Sequence, residues 1–424
     1  MLTASKIHAF VFIALGVLLL IDAYTYFGLR ALLRNKSVKV RRIISWIYWG
    51  INGWFILSVI VTTFVFSSST GFHGVWYRVL AGSLFLLYVP KIFFIVFLLL
   101  EDAFRFVRAI PVGIYKLIKK DKASSVDIFQ SRRKFIGQIG AVVAGIQFSG
   151  ILYGITKGKY NFKIHKAEIA FKDLPKEFDG LRITQVSDIH CGSFDDREAV
   201  LHAVNMANEQ GSDIMFFTGD LVNNKSDEMD EWMDVFNRFK APMGVYSIFG
   251  NHDYGDYVSW PSPEAKAANL QKLADIHKTL GYRLMRNENT RLERNGAFID
   301  LVGIENWGKG GFSKYGDFNK AMQGTTPGSF KILLSHDPSQ WDEQVINHPE
   351  KVHLTLSGHT HGAQYGVEIG NIQISPVQFR YTHWAGLYKE NDRYIYVNRG
   401  LGFIGFPGRV GIWPEITVIT LRTA

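Results

Sequence analysis

Only one cysteine, Cys191, occurs among the 424 residues. A lone thiol excludes an intramolecular disulfide framework and a zinc site built from cysteines. Acid is scarce in the first 159 residues, where 20 Lys and Arg stand against 5 Asp and Glu, leaving 27 against 33 for the remainder. The formal charge of +9 is therefore carried wholly by the first part, which is also the most apolar. Basic residues set between long apolar runs mark the flanks of membrane spans. A lipid bilayer is the expected partner and nucleic acid is not. No internal repeat or low-complexity tract is present.

Four apolar stretches, about 7–29, 43–66, 76–100 and 135–155, are each long enough to span a bilayer, which takes ~20 residues. The fourth is Gly- and Ala-rich and reads equally as a buried helix or a cleavable signal. Arg30, Arg34, Lys36, Lys39, Arg41 and Arg42 separate the first two stretches, and nine basic residues from Arg105 to Lys134 separate the last two. The segment 67–75 has none. The positive-inside rule puts both basic loops in the cytoplasm and everything from about Lys157 onward outside. Ser131-Arg132-Arg133-Lys134-Phe135-Ile136 resembles a twin-arginine export motif; the alternative is a pair of arginines anchoring a helix end. Asp22 and Lys91 are costly within apolar helices. Their depths match, which predicts an ion pair between the first and third helices, against separate snorkelling of each. Apolar and basic residues alternate over Phe104–Lys120, the pattern of an amphipathic helix on the inner leaflet that Pro111 divides.

From Tyr160 the pattern changes to short β-branched runs alternating with helical stretches. Strands are expected at 181–187, 213–218, 245–249, 298–303, 331–335, 352–357, 394–398 and 416–421, and helices at 199–210, 228–240 and 265–280. Such alternation predicts an α/β layered fold. The ends of five strands carry the chemistry: Asp188-Ile189-His190, Gly219-Asp220, Gly250-Asn251-His252-Asp253, His336-Asp337 and Gly358-His359-Thr360-His361. Strand C-termini are where sites form in α/β sheets. In Asp188-x-His190 and His359-x-His361, side chains two apart on an extended backbone share a face, as two ligands of one ion require.

These five motifs, in this order, resemble those of the calcineurin-like metallophosphoesterases over about Lys163–Leu421. The tail Asn398-Arg399-Gly400-Leu401-Gly402, with Arg409 and Trp413-Pro414-Glu415-Ile416, is similar to the bacterial membrane-associated branch. The resemblance implies a sandwich of two β-sheets flanked by helices over 159–424; the four-helix membrane anchor expected over 1–158 from the apolar stretches lies outside it. It implies two divalent ions, Mn, Fe or Zn. Asp188, His190 and His361 would hold one, Asn251, His336 and His359 the other, with Asp220 bridging. His252 would protonate the leaving oxygen and Asp253 would orient it by a hydrogen bond. Cys191 reads as a filler behind a ligand, and His353 and His383 as structural.

The implied activity is metal-dependent hydrolysis of a phosphate ester or pyrophosphate. A site tethered at the outer face of a bacterial cell membrane favours lipidic or envelope-related substrates. Trp384, Phe403, Phe406 and Trp413 with Arg399 and Arg409 are expected either as an apolar and basic rim or as ordinary core residues. One alternative is a hydrolase of the UDP-diacylglucosamine type in lipid A synthesis, which needs a cytoplasmic site. Another is a transport or sensing protein whose phosphate-binding domain has no catalytic role.

Overall fold

Long uninterrupted apolar runs have no way to satisfy their backbone in lipid except as helices, and the first third of the chain forms four. The structure, a computed structural model, describes residues 4–64, 73–119, 126–370 and 372–424. It divides into two compact units, 1–155 and 156–424. The first holds α1 (Ala4–Leu32), α2 (Val38–Phe64), α3 (His73–Lys119) and α4 (Val126–Thr156). Each contains a stretch long and apolar enough to cross a membrane. Phe10, Phe12, Leu20, Trp46 and Trp54 turn outward, as side chains facing lipid do.

Inside this unit, Lys91 Nζ lies 2.6 Å from Asp22 Oδ1, joining α1 to α3 as the matching depths predicted. Lys91 also donates to Asn52 of α2, and Tyr88 donates to Asp22 Oδ2 at 3.1 Å. The pair is thus held by three helices. The stretch 104–119 is not a separate amphipathic helix but the continuation of α3. A helix already several turns long supplies the nucleus that an isolated surface helix lacks. The twin-arginine-like segment lies within α4, and the side chains of residues 131–133 are outside the described residues.

The second unit contains, in order, β1 (Lys163–Phe171), β2 (Arg182–Val186), α5 (Arg197–Asn208), β3 (Ile214–Phe217), α6 (Met233–Phe236), β4 (Val245–Ser247), α7 (Pro263–Thr279), β5 (Tyr282–Leu284), β6 (Glu288–Arg294), β7 (Ala297–Gly303), α8 (Phe318–Met322), β8 (Lys331–Leu334), β9 (Leu354–Ser357), β10 (Val367–Ile369), β11 (Ile372–Ile374), β12 (Gly386–Glu390), β13 (Arg393–Val397) and β14 (Glu415–Thr423). One six-stranded sheet has the order β1-β14-β2-β3-β4-β5 and the other β12-β13-β9-β8-β7-β6; β10 and β11 form a separate hairpin.

Alternation along the strands makes the layers. Ile183, Ile214 and Phe216 of the first sheet share a core with Ile332, Leu334, Leu354 and Leu356 of the second. Residues of opposite parity pack outward: Val186, Met215 and Phe217 with the α5 and α7 side, and Val302, Leu333 and Val397 with Trp341 and α8. Strands buried on both faces read as continuous apolar runs. The fold is the expected two-sheet sandwich flanked by helices. One expected helix differs. The helix expected over 228–240 is a turn at Ser226–Met229 followed by the short α6. Glu228 explains it, because its carboxylate accepts the N–H groups of Asn223, Asn224 and Lys225 and ties the chain into a loop.

Candidate metal centre

The C-terminal ends of β2, β3 and β4 in one sheet and of β8 and β9 in the other deliver all seven expected ligand residues to one place. They do so by an unexpected backbone. Asp188, His190, Asp220, His359 and His361 have φ of 50°, 48°, 61°, 71° and 50°. These are left-handed conformations, not the extended runs expected from the two-residue spacing. Each costs on the order of 1 kcal/mol or more for a residue with a Cβ. Hydrogen bonds between the loops over-determine the arrangement: Asp188 N–H donates to Gly219 O (2.9 Å), His190 N–H to Asp220 O (3.1 Å) and Gly358 N–H to His336 O (2.9 Å). Two glycines make the room. A Cβ at Gly250 would strike the Asp220 carboxylate, and one at Gly358 would strike Ser187 Oγ and the Asp188 carboxylate.

Two clusters result, Asp188–His190–His361 and Asp220–His336–His359, each within ion-ligating reach. His361 Nε2 is 3.3 Å from Asp188 Oδ1 and 3.1 Å from His190 Nε2. Asp220 Oδ2 lies 3.1 Å from His336 Nε2 and 3.5 Å from His190 Nε2, so one carboxylate oxygen faces both clusters. Asn251 Oδ1 completes the second, at 3.1 Å from His336 Nε2 and 2.7 Å from His359 Nδ1.

Proton bookkeeping shows what fits between them. His336 Nδ1 sits 2.7 Å from the Thr218 carbonyl and must donate to it, leaving a lone pair on Nε2 of the neutral ring. Tyr257 OH takes the amide end of Asn251 at 2.9 Å, so Asn251 points its oxygen inward. The His336 lone pair then faces Asn251 Oδ1 and Asp220 Oδ2, both acceptors. Acceptors converging in a buried site need a cation or a proton between them. With the proton there, burial alone would lower the His336 pKa, but the charge of Asp220, with that of Asp188, pushes it up to about 10. Imidazole nitrogens with carboxylate and amide oxygens are a donor set for divalent transition ions. The residues fit such ions.

His252 stands at the rim of these clusters, half-buried, its ring centroid 4.9 Å from that of His190. Its backbone N–H donates to Asp220 Oδ1 at 2.9 Å, and its Nδ1 donates to the Asn223 carbonyl at 2.7 Å. That leaves Nε2 outside this bond. Asp253 does not orient this ring, contrary to the sequence expectation. It is fully buried, and its carboxylate accepts the backbone N–H groups of Asp220, Leu221, Val222 and Gly250 at 2.8–3.3 Å. Burial and the neighbouring Asp220 push its pKa up to about 7, against the pull of those donors. A turn that leaves four N–H groups pointing inward must satisfy them, and Asp253 does so.

Of the two readings of the aromatic and basic residues, the core one holds. Arg399, Arg409, Phe403, Phe406 and Trp384 are buried. Arg399 Nη1 pairs with Glu415 at 2.6 Å, and Arg409 Nη2 donates to the carbonyls of Arg399 and Gly402. This shapes the loop whose Leu401 and Gly402 N–H groups hold the carbonyls of Ser187 and Asp188 at 2.8 Å. Cys191 is fully buried, and burial pushes its thiol pKa well up, as suits a filler. His353 accepts the Lys331 N–H at 3.0 Å and His383 lies 2.9 Å from Asp342, both structural.

Two neighbours were given no role from the sequence. Tyr381 OH lies 2.8 Å from His359 Nε2, and Asp337 Oδ2 is 3.3 Å from the same nitrogen. Asp337 follows His336 directly, the signal that could have found it. Tyr381 comes 20 residues after the last motif and had none.

Family models match most of the chain. One described as "Calcineurin-like phosphoesterase" covers residues 181–363, and one described as "Probable Calcineurin-like phosphoesterase, transmembrane domain" covers 8–159. The chain is 31% identical over 303 residues to the uncharacterised metallophosphoesterase YkuE of Bacillus subtilis, covering 69% of this chain and 98% of that one. It is 28% identical over 281 residues to a transmembrane protein with metallophosphoesterase domain of Danio rerio, covering 64% of this chain and 60% of that protein. An uncharacterised metallophosphoesterase of Helicobacter pylori strain 26695 is 27% identical over 303 residues, 70% of this chain and 74% of the relative.

Proposed function

The chain belongs to the calcineurin-like metallophosphoesterases, and from that premise we propose a membrane-anchored phosphoesterase or phosphodiesterase that hydrolyses a phosphate ester or pyrophosphate of an amphiphilic substrate at the outer face of a bacterial cell membrane. Asp188, His190 and His361 would hold one divalent ion and Asn251, His336 and His359 a second, with Asp220 shared. Such a pair would activate water as a nucleophile at neutral pH and neutralise phosphoryl charge. The observation that carries the proposal is the ring of converging acceptors around Asp220 with His252 beside it.

The residues then divide the work. His252, its Nδ1–H engaged by the Asn223 carbonyl, holds a second proton at Nε2 and passes it to the leaving oxygen. Tyr257 keeps the Asn251 oxygen turned inward. Gly250 and Gly358 keep the strand ends close. The distribution of basic loops supports the outer location, and the anchor supports an amphiphilic substrate.

The test uses the full-length protein in detergent. Metal content is measured together with hydrolysis of bis(p-nitrophenyl) phosphate and of lipid phosphates. About two bound ions and a turnover that His252→Ala abolishes are expected. A metal-loaded wild type inactive on every ester, and indistinguishable from His252→Ala, would favour a domain that only binds phosphate. A C-terminal reporter that fluoresces only in the cytoplasm should stay dark; fluorescence would move the site to the inner face.

A further inference from the structure

The hairpin of β10 and β11 is built inside out. Its register sets Val367 opposite Ile374 and Ile369 opposite Ile372, so these four side chains share one face. Glu368 and Gln373 occupy the other. In a hairpin on a soluble domain the aliphatic face packs inward and the polar face meets water. Here the polar face is turned to the domain: Glu368 accepts from the buried Arg399 at 2.5 Å and from Gln373 at 2.7 Å. The aliphatic face is left outward, its four residues 47–71% exposed. Phe379, at 88%, follows shortly after β11. Neither strand pairs with either six-stranded sheet, and a lone two-stranded hairpin has little stability of its own. An apolar face held outward by a part-buried ion pair is a site for an apolar partner.

We propose that this hairpin, with Phe379, inserts into the acyl boundary of the lipid bilayer beside the metal centre. Two observations select a bilayer. The chain carries four membrane-spanning helices, so a bilayer is always within its tether. Between His361 and Tyr388 the only Asp, Glu, Lys or Arg residues are Glu368 and Arg380. Glu368 is occupied inward, and Arg380 lies beside Phe379, where a cation meets phosphate headgroups. The link to the site is short: Arg380 lies over the Tyr381 ring, and Tyr381 OH contacts His359. Insertion would therefore bring a headgroup ester to the clusters without drawing the lipid out of the membrane. The purpose of the hairpin rests on the phosphoesterase reading; its insertion does not.

The full chain in nanodiscs, with Ile369→Cys carrying an environment-sensitive dye, tests it. Buried Cys191 does not compete for the label. Lipids with nitroxide near the headgroup or high on the acyl chain should quench the dye at least about twofold more than at Glu198→Cys on exposed α5. Equal quenching at both positions, or none at Ile369→Cys, overturns the proposal. Shielding that ignores nitroxide lipids and vanishes on dilution overturns it in favour of a second copy. A double variant, Ile369→Asp with Ile372→Asp, should keep hydrolysis of bis(p-nitrophenyl) phosphate and lose about tenfold on a long-chain phosphate ester in vesicles. Quenching without any hydrolysis by the wild type would leave insertion standing and sink the enzymatic reading alone.

Discussion

Asp253 is tied to Asp220 through the main chain: its Oδ2 accepts the Asp220 N–H at 2.9 Å, and the same oxygen accepts the Gly250 N–H at 2.8 Å. One carboxylate thereby holds the ends of β3 and β4 in register. In Asp253→Asn an amide NH₂ would face those donors. A loss of about 3 kcal/mol in stability is expected, with metal content falling in step with activity. Elemental analysis and thermal unfolding of the variant check this. Full metal content with activity alone lost would restore Asp253 as the orienter of His252.

His252→Ala should behave in the opposite way. Its side chain touches no expected ligand by a hydrogen bond, so metal content and thermal stability should stay near wild type. Turnover should fall by about 10²–10⁴ on alkyl phosphoesters, whose leaving oxygen needs a proton. The loss should be smaller on p-nitrophenyl esters. An equal loss on both would deny it the role of acid.

In the membrane unit, Asp22→Ala or Lys91→Ala alone leaves a buried charge beside Tyr88 and Asn52. Each should cost about 3–5 kcal/mol. Asp22→Asn combined with Lys91→Met should be better tolerated than either, as read by thermal unfolding in detergent. A double variant less stable than both singles would show that the two charges do not act as a pair.

His277 is fully buried, with Nδ1 near Ser247 Oγ and no partner at Nε2 among the described residues. Burial pushes its pKa down to about 3. The unfolded chain takes up a proton there below about pH 6.5, whereas the folded chain does not until about pH 3. Stability is therefore lost as pH falls through that window, by up to about 1.4 kcal/mol per pH unit. His277→Gln should show a shallower loss of unfolding temperature between pH 7 and 5, with the ligand contribution common to both proteins.

The seven proposed ligand positions were legible because each lies directly after an apolar strand, and strand ends are local in sequence. Their left-handed backbone was not, since it depends on hydrogen bonds between loops as far apart as Asp188 and His359. Asp253 was misread for a related reason: an Asp beside a His suggests a side-chain bond, while the demand came from N–H groups some thirty residues upstream. β1 went unseen because its edge position tolerates Lys163, Lys166 and Glu168, and its parallel partner, β14, is the last strand of the chain. Arg399 and Arg409 left rim and core both open, and Glu415 and a row of carbonyls decide for the core.

The division of the proposed ligands between the sheets has a consequence for assembly. Asp188, His190, Asp220 and Asn251 follow strands of one sheet, and His336, His359 and His361 follow strands of the other. An ion bound by both groups, as proposed, would clasp the sandwich, its binding free energy favouring closure of the two halves. If the proposed ligands hold ions, the free metal present where the chain matures would then decide which ion it closes on.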